Sequence, residues 1–139
     1  MMPPPEGDLI EPGIEPGTPL ADAITRADDA FTRADAEAVD GAYRDAVRLA
    51  ASDPTLWSAL AVDHVERLRK LGRGTLALRC CTEYVRQAGP NEVSLRVQRA
   101  EIRSYLGDHS GAGADAAAIR SALGNRPGSL TSEEDARLH

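Results

Sequence analysis

The sequence predicts an all-α protein, an array of three antiparallel helix pairs closed by a short C-terminal helix. Three observations predict it. Apolar residues recur at spacings of three and four along most of the chain, strand-type alternation is absent, and prolines break the pattern at 19, 54, 90 and 127, intervals of 35, 36 and 37 residues. A helix, a short turn, a second helix and a proline break, repeated with a period near 36, is how a helical solenoid reads.

The elements follow in order. Leu20, Ile24, Ala27 and Phe31 define one face of a first helix. Thr18 can cap it, and Pro19 fits the first turn, where its missing N–H is not needed. A second helix carries Val39, Ala42, Tyr43, Ala46 and Ala50 in one stripe, with Asp35 as its cap. Asp53-Pro54 repeats the cap-then-proline signal and opens a third, whose stripe is Trp57, Leu60, Ala61, Val65, Leu68 and Leu71. "LGRG" stops it. The fourth has Ala77, Cys80, Cys81, Tyr84, Val85 and Ala88 in a three-four pattern, which places both cysteines in the core, and Gly89-Pro90 ends it.

The fifth helix is expected from about Asn91 to Leu106, with Val93, Val97, Ala100, Ile102, Tyr105 and Leu106 apolar. "GDHSG" stops it, and the sixth presents Ala112, Ala116, Ile119 and Leu123. After Pro127, Thr131 and Glu134 form a capping box that opens a last short helix over the end of the stack.

Residues 1–17 stand apart, with five prolines, three glycines, four acids and no basic residue. They read as an acidic, flexible tail ahead of a repeat domain at 18–139. The first residues lack the basic and apolar stretches of a secretory signal, and no apolar run approaches a membrane span, so the expectation is a cytoplasmic protein. Arginine outnumbers lysine fifteen to one and alanine is abundant, as in a high-GC bacterial genome.

The turn and break residues resemble the tetratricopeptide repeat family over roughly residues 19–127. Gly72, Ala77, Cys81 and Pro90, then Gly107, Ala112, Ala116 and Pro127, match its turn glycine, two small residues and closing proline. Ala34, Val39, Tyr43 and Pro54 follow more loosely. The resemblance implies a right-handed stack whose first helices line a concave, peptide-binding face; the matched positions are structural and bring no functional residue with them.

Charge is unevenly spread within a net of −6. Residues 1–63 hold four basic and thirteen acidic side chains, and residues 64–103 hold nine and four. Arg96, Arg99 and Arg103 share one face of the fifth helix, and Arg67 and Lys70 line up on the third. In a repeat stack these five would form one basic surface, suited to an acidic peptide, a terminal carboxylate or a phosphorylated segment. The plainer reading is a solvated face, with Glu92–Arg96 and Glu66–Lys70 as helix-supporting pairs.

Catalysis is not expected. The sequence holds no glycine-rich phosphate loop, nucleophile elbow or His/Glu zinc helix, and Asp63 and His64, adjacent on a helix, do not face each other. His64, His109 and His139 read as surface residues. Cys80 and Cys81 lack the second cysteine pair of a zinc site, so no metal or cofactor is called for. Nucleic acid is set aside on overall acidity and on the lack of aromatics beside the arginines. The function expected is a protein-interaction adaptor that binds a partner protein or peptide on the basic face. The alternative is a self-associating structural or regulatory oligomer without a peptide ligand, a homodimer in its simplest form. The acidic tail (Glu6, Asp8, Glu11, Glu15) is a natural competitor for the basic face, either masking it within one chain or joining chains head to tail.

Overall fold

The computed structural model describes residues 15–88 and 93–124. Among them the chain is entirely helical: α1 (Pro19–Thr32), α2 (Ala36–Leu49), α3 (Pro54–Lys70), α4 (Gly74–Ala88), α5 (Val93–Tyr105) and α6 (His109–Leu123). Within them α1 packs on α2, α4 on α5 and α5 on α6, consistent with an all-α helical repeat fold. Most of the tail, the break at Pro90, Pro127 and the expected last helix lie outside the described residues. No helix among those described is long and apolar enough to cross a membrane.

The helix starts follow from side-chain chemistry. The Ala21, Ala38, Leu56 and Gly111 backbone N–H groups donate to the side-chain oxygens of Thr18, Asp35, Asp53 and Asp108, at 3.1, 3.1, 3.2 and 2.8 Å. Each bond satisfies a donor that the first helical turn would otherwise leave open.

The turns inside the three pairs are one motif used three times. After α1 the Ala34 N–H donates to the Phe31 carbonyl and the Asp35 N–H to Ala30. After α3 the bonds are Gly72 to Arg69 and Arg73 to Leu68; after α5 they are Gly107 to Ser104 and Asp108 to Arg103. These are Schellman caps, which need a left-handed residue just past the helix. Ala34, Gly72 and Gly107 supply it, with φ of 56°, 77° and 89°.

The chain divides into two compact units, and the division falls inside α3: Met1–Leu60 and Ala61–His139. In the first unit α1 packs on α2. Ala21, Ala23, Ala27, Ala30, Ala36, Ala42 and Ala46 are buried there, joined by Ile24, Val39, Tyr43 and Val47. Small side chains let helices approach closely, so this unit packs through many thin contacts rather than a few large ones. In the second unit Val65, Leu68, Cys80, Cys81, Tyr84, Leu95, Ile102 and Ile119 form the core, and α5 packs on α4 and α6. The two cysteines are buried, as the α4 stripe predicts.

Two expectations change. His64 is fully buried, not on the surface. It sits in the α3 stripe one position from Val65, and its Nδ1 shares a hydrogen bond with the Tyr84 hydroxyl. On α5 the buried residues are Leu95, Gln98 and Ile102, while Val93, Val97 and Ala100 are half-buried and Tyr105 and Leu106 exposed. The inward face therefore includes a polar residue that hydropathy would place outside.

Candidate functional site

The second unit has polar bonds running through its interior. His64 Nδ1 and the Tyr84 hydroxyl share a 2.7 Å hydrogen bond between α3 and α4, with the rings edge to face. Gln98 Nε2 donates to the Val62 carbonyl at 3.1 Å, joining α5 to α3. Cys81 Sγ donates to the Leu95 carbonyl at 3.1 Å, joining α4 to α5. Burial pushes the Cys81 thiol from 9.0 up to about 12, with the Arg99 charge pulling the other way. A thiol held protonated in this way is a packing group and not a nucleophile.

The centre of the network is Asp115, whose side chain is 2% exposed. Arg99 Nη2 donates to its Oδ1 at 2.6 Å and Arg99 Nε at 3.0 Å, while Arg103 Nη1 donates to Oδ2 at 2.9 Å. The geometry follows from the turn. In an antiparallel pair pivoting at Gly107, residues equidistant from the pivot lie level, and Arg99 and Asp115 are such a pair. So are Arg103 and Gly111, and Arg103 Nη1 also reaches the Gly111 carbonyl at 3.4 Å. A Cβ on Gly111 would run into the Asp108 carboxylate and the Arg103 stem, so the glycine leaves room for this arrangement.

The five residues expected to form a basic binding face are thus divided. Arg99 and Arg103 are brought together, but on Asp115, and their charge is spent joining α5 to α6. Lys70 stands on α3 with its side chain 61% exposed, paired with Glu66 at 3.3 Å. Arg67 and Arg96 are half-buried on α3 and α5. Arg69, not among the five, pairs with Glu101 across α3 and α5 at 3.2 Å.

Where α3 ends and α5 ends, these pairs border a groove of about 430 Å³. It is lined by Glu66, Arg69, Lys70, Gly72, Gly74, Ile102 and Tyr105. Tyr105 is 85% exposed and Leu106 beside it is exposed as well. A phenol ring left this open is unusual, because burying an aromatic is among the most favourable things a fold can do with one. The apolar part of the lining is Ile102 and Tyr105. The backbone at Gly72 carries no side chain, so a ligand's main chain can come close. The cation most ready to change partners is Lys70, since an exposed i,i+4 pair holds it by only about 0.3–0.5 kcal/mol.

Sequence reading counted Tyr105 among the apolar residues of α5 and so missed it as a site residue. The signal available was its position, in the last turn before the Gly107 stop, where a helix face runs out of neighbours.

The chain matches no family model, no curated protein and no solved structure.

Proposed function

We propose that this protein is a partner-binding module of the tetratricopeptide type. In this reading it holds an extended, acidic segment of a partner protein in the groove beside Tyr105. The observation that carries the reading is the combination at that groove: an exposed aromatic ring, glycine backbone at the rim and a loosely held lysine. Protein interfaces concentrate binding energy on a few aromatic anchors, with charged groups that set register and orientation. Arg99 and Arg103 act in this reading as positioning residues. They hold α5 against α6 and so fix where Tyr105 stands.

The test is a titration of the full chain with acidic peptides that carry aliphatic or proline residues, followed by amide shifts. The expected result is movement concentrated at Gly72, Gly74, Ile102 and Tyr105, with affinity reduced about tenfold or more in Tyr105→Ala, as for an anchoring aromatic. Shifts confined to α1 and α2, or affinity unchanged by Tyr105→Ala, would remove the groove from consideration.

A further inference from the structure

We infer that the groove beside Tyr105 receives the acidic N-terminal segment of a second copy of this chain, so that copies associate head to tail. The inference rests on the groove being a peptide site and names what fills it. The groove asks for three things: apolar or proline surface against Tyr105 and Ile102, a carboxylate for Lys70, and a backbone able to lie along the edge at Gly72. The segment "PPPEGDLIEPGIEPG", residues 3–17, carries all three. It has five prolines to place against an aromatic, Leu9, Ile10 and Ile14 as apolar residues, and Glu6, Asp8, Glu11 and Glu15 as acids with no basic residue among them. Proline-rich segments bind aromatic-lined grooves at low entropic cost because proline restricts the chain before binding.

Charge selects a second copy as the source. Residues 1–63 carry a net of −9 and residues 64–139, with Asp115 counted beside the arginines it neutralises, a net of +3. Two copies that approach acidic half to basic half are steered together, and the segment arrives with a whole complementary surface. The same complementarity makes the association sensitive to salt.

The experiment uses full-length chains and two complementary variants. One carries Tyr105→Ala, which spoils the groove and leaves the segment intact. The other carries E6Q, D8N, E11Q and E15Q, which neutralises the segment and leaves the groove intact. Tyr105 is exposed, and the four acids stand in a proline- and glycine-rich stretch of sequence; circular dichroism checks that both variants fold. Light-scattering chromatography of the unaltered chain at low salt is expected to show mass rising with concentration, and high salt is expected to abolish it. Each variant alone loses the growth into longer assemblies and runs as a monomer. Mixed in equal amounts they form a one-to-one dimer, because one supplies the segment and the other the groove. Lys70→Glu in the groove-bearing partner weakens that dimer about tenfold, the equivalent of 1.4 kcal/mol.

A mixture that stays monomeric overturns the inference. An unaltered chain that is monomeric at every concentration also overturns it, including the case where its segment folds back on its own chain. In either event, if acidic peptides of unrelated sequence still move the Gly72 and Tyr105 amides, the groove stands as a peptide site with another partner. If they do not, the proposed function falls with the inference.

Discussion

The hairpin of α1 and α2 and the hairpin of α5 and α6 turn through the same cap and are built from opposite chemistry. In the first, the interior is mostly alanine with a few larger side chains and one buried carboxylate, Asp28, and the ion pair between the two helices lies outside: Arg26 and Asp45, 3.5 Å apart, are 58% and 44% exposed. In the second, the ion pairs have moved inside: Arg99 and Asp115 are 13% and 2% exposed. One backbone design thus tolerates either interior. What differs is how each fails. A thin alanine interface is sensitive to added volume, whereas a buried charge cluster is sensitive to the loss of a single partner.

The comparison breaks hardest at Asp115. Replacing it with alanine leaves the largely buried Arg99 guanidinium without a carboxylate and takes one of two from the half-buried Arg103, which keeps Asp108 at 3.8 Å. Removing one partner from a buried pair costs about 3–5 kcal/mol, more than the pair itself contributes relative to apolar residues. The midpoint of urea unfolding should fall accordingly, and Asp115→Asn, which keeps the shape and some acceptor capacity, should fall less. If Asp115→Ala unfolds like the unaltered chain, the cluster has water access that its burial does not indicate.

The matching test on the first hairpin adds volume. Ala27 is fully buried on α1, so Ala27→Leu has no room and should cost about 1–3 kcal/mol. Ala117→Leu, on the exposed face of α6, is the control and should stay within about 0.5 kcal/mol. Equal effects at the two alanines would mean that α1 and α2 are not closely packed.

The helices and their caps were legible because they rest on local chemistry. Thr18, Asp35 and Asp53 announce their roles by preceding a proline or an apolar-periodic run, and Gly72 and Gly107 mark the stops. The polar interior of the second unit was not legible, because each of its buried polar residues bonds to a partner on another helix. Hydropathy marks Gln98 and Asp115 as outward-facing; only the carbonyl of Val62 and the two arginines make their burial tolerable. Aligning the turns would have exposed the pattern. Gly72 and Gly107 are 35 residues apart, and at that offset His64, Leu68 and Cys80 correspond to Arg99, Arg103 and Asp115. A buried position in one pair is then expected to be buried in the next, whatever residue it holds. The same rule puts Leu95, level with Leu60, in the core, where the fifth stripe read alone favoured Val93 and Val97.

Cys81 sharpens the contrast through pH. Its thiol titrates at about 12 in the folded chain against 9.0 when exposed. Below pH 9 both states keep the proton and the group has no effect on stability. Between pH 9 and 12 the unfolded chain releases the proton while the folded chain retains it, so stability falls as pH rises. Cys81→Ala removes that slope. Urea midpoints measured from pH 8 to pH 10.5 should therefore converge for the two proteins as pH increases, and the native thiol should resist alkylation at pH 8 until the chain unfolds. A Cys81 that is alkylated at the rate of an exposed cysteine would mean that α4 and α5 separate readily at Leu95.

The smallest effect tests the shared turn itself. Ala34 holds the left-handed position that glycine fills in the other two pairs, and an L side chain there costs roughly 1–2 kcal/mol. Ala34→Gly relieves that strain but loosens the unfolded chain by about 0.4–1 kcal/mol, so the net gain should be on the order of 0.5–1 kcal/mol. Gly72→Ala and Gly107→Ala run the same exchange backwards. Nothing lies within 4 Å of a Cβ at either glycine, so their loss should be conformational and of similar size. Equal and opposite shifts at the three positions would mean that the turns are energetically one motif. A gain at Ala34 with no loss at Gly107 would mean instead that the bonds among Arg103, Asp108 and Asp115 hold the third turn in shape without help from its glycine.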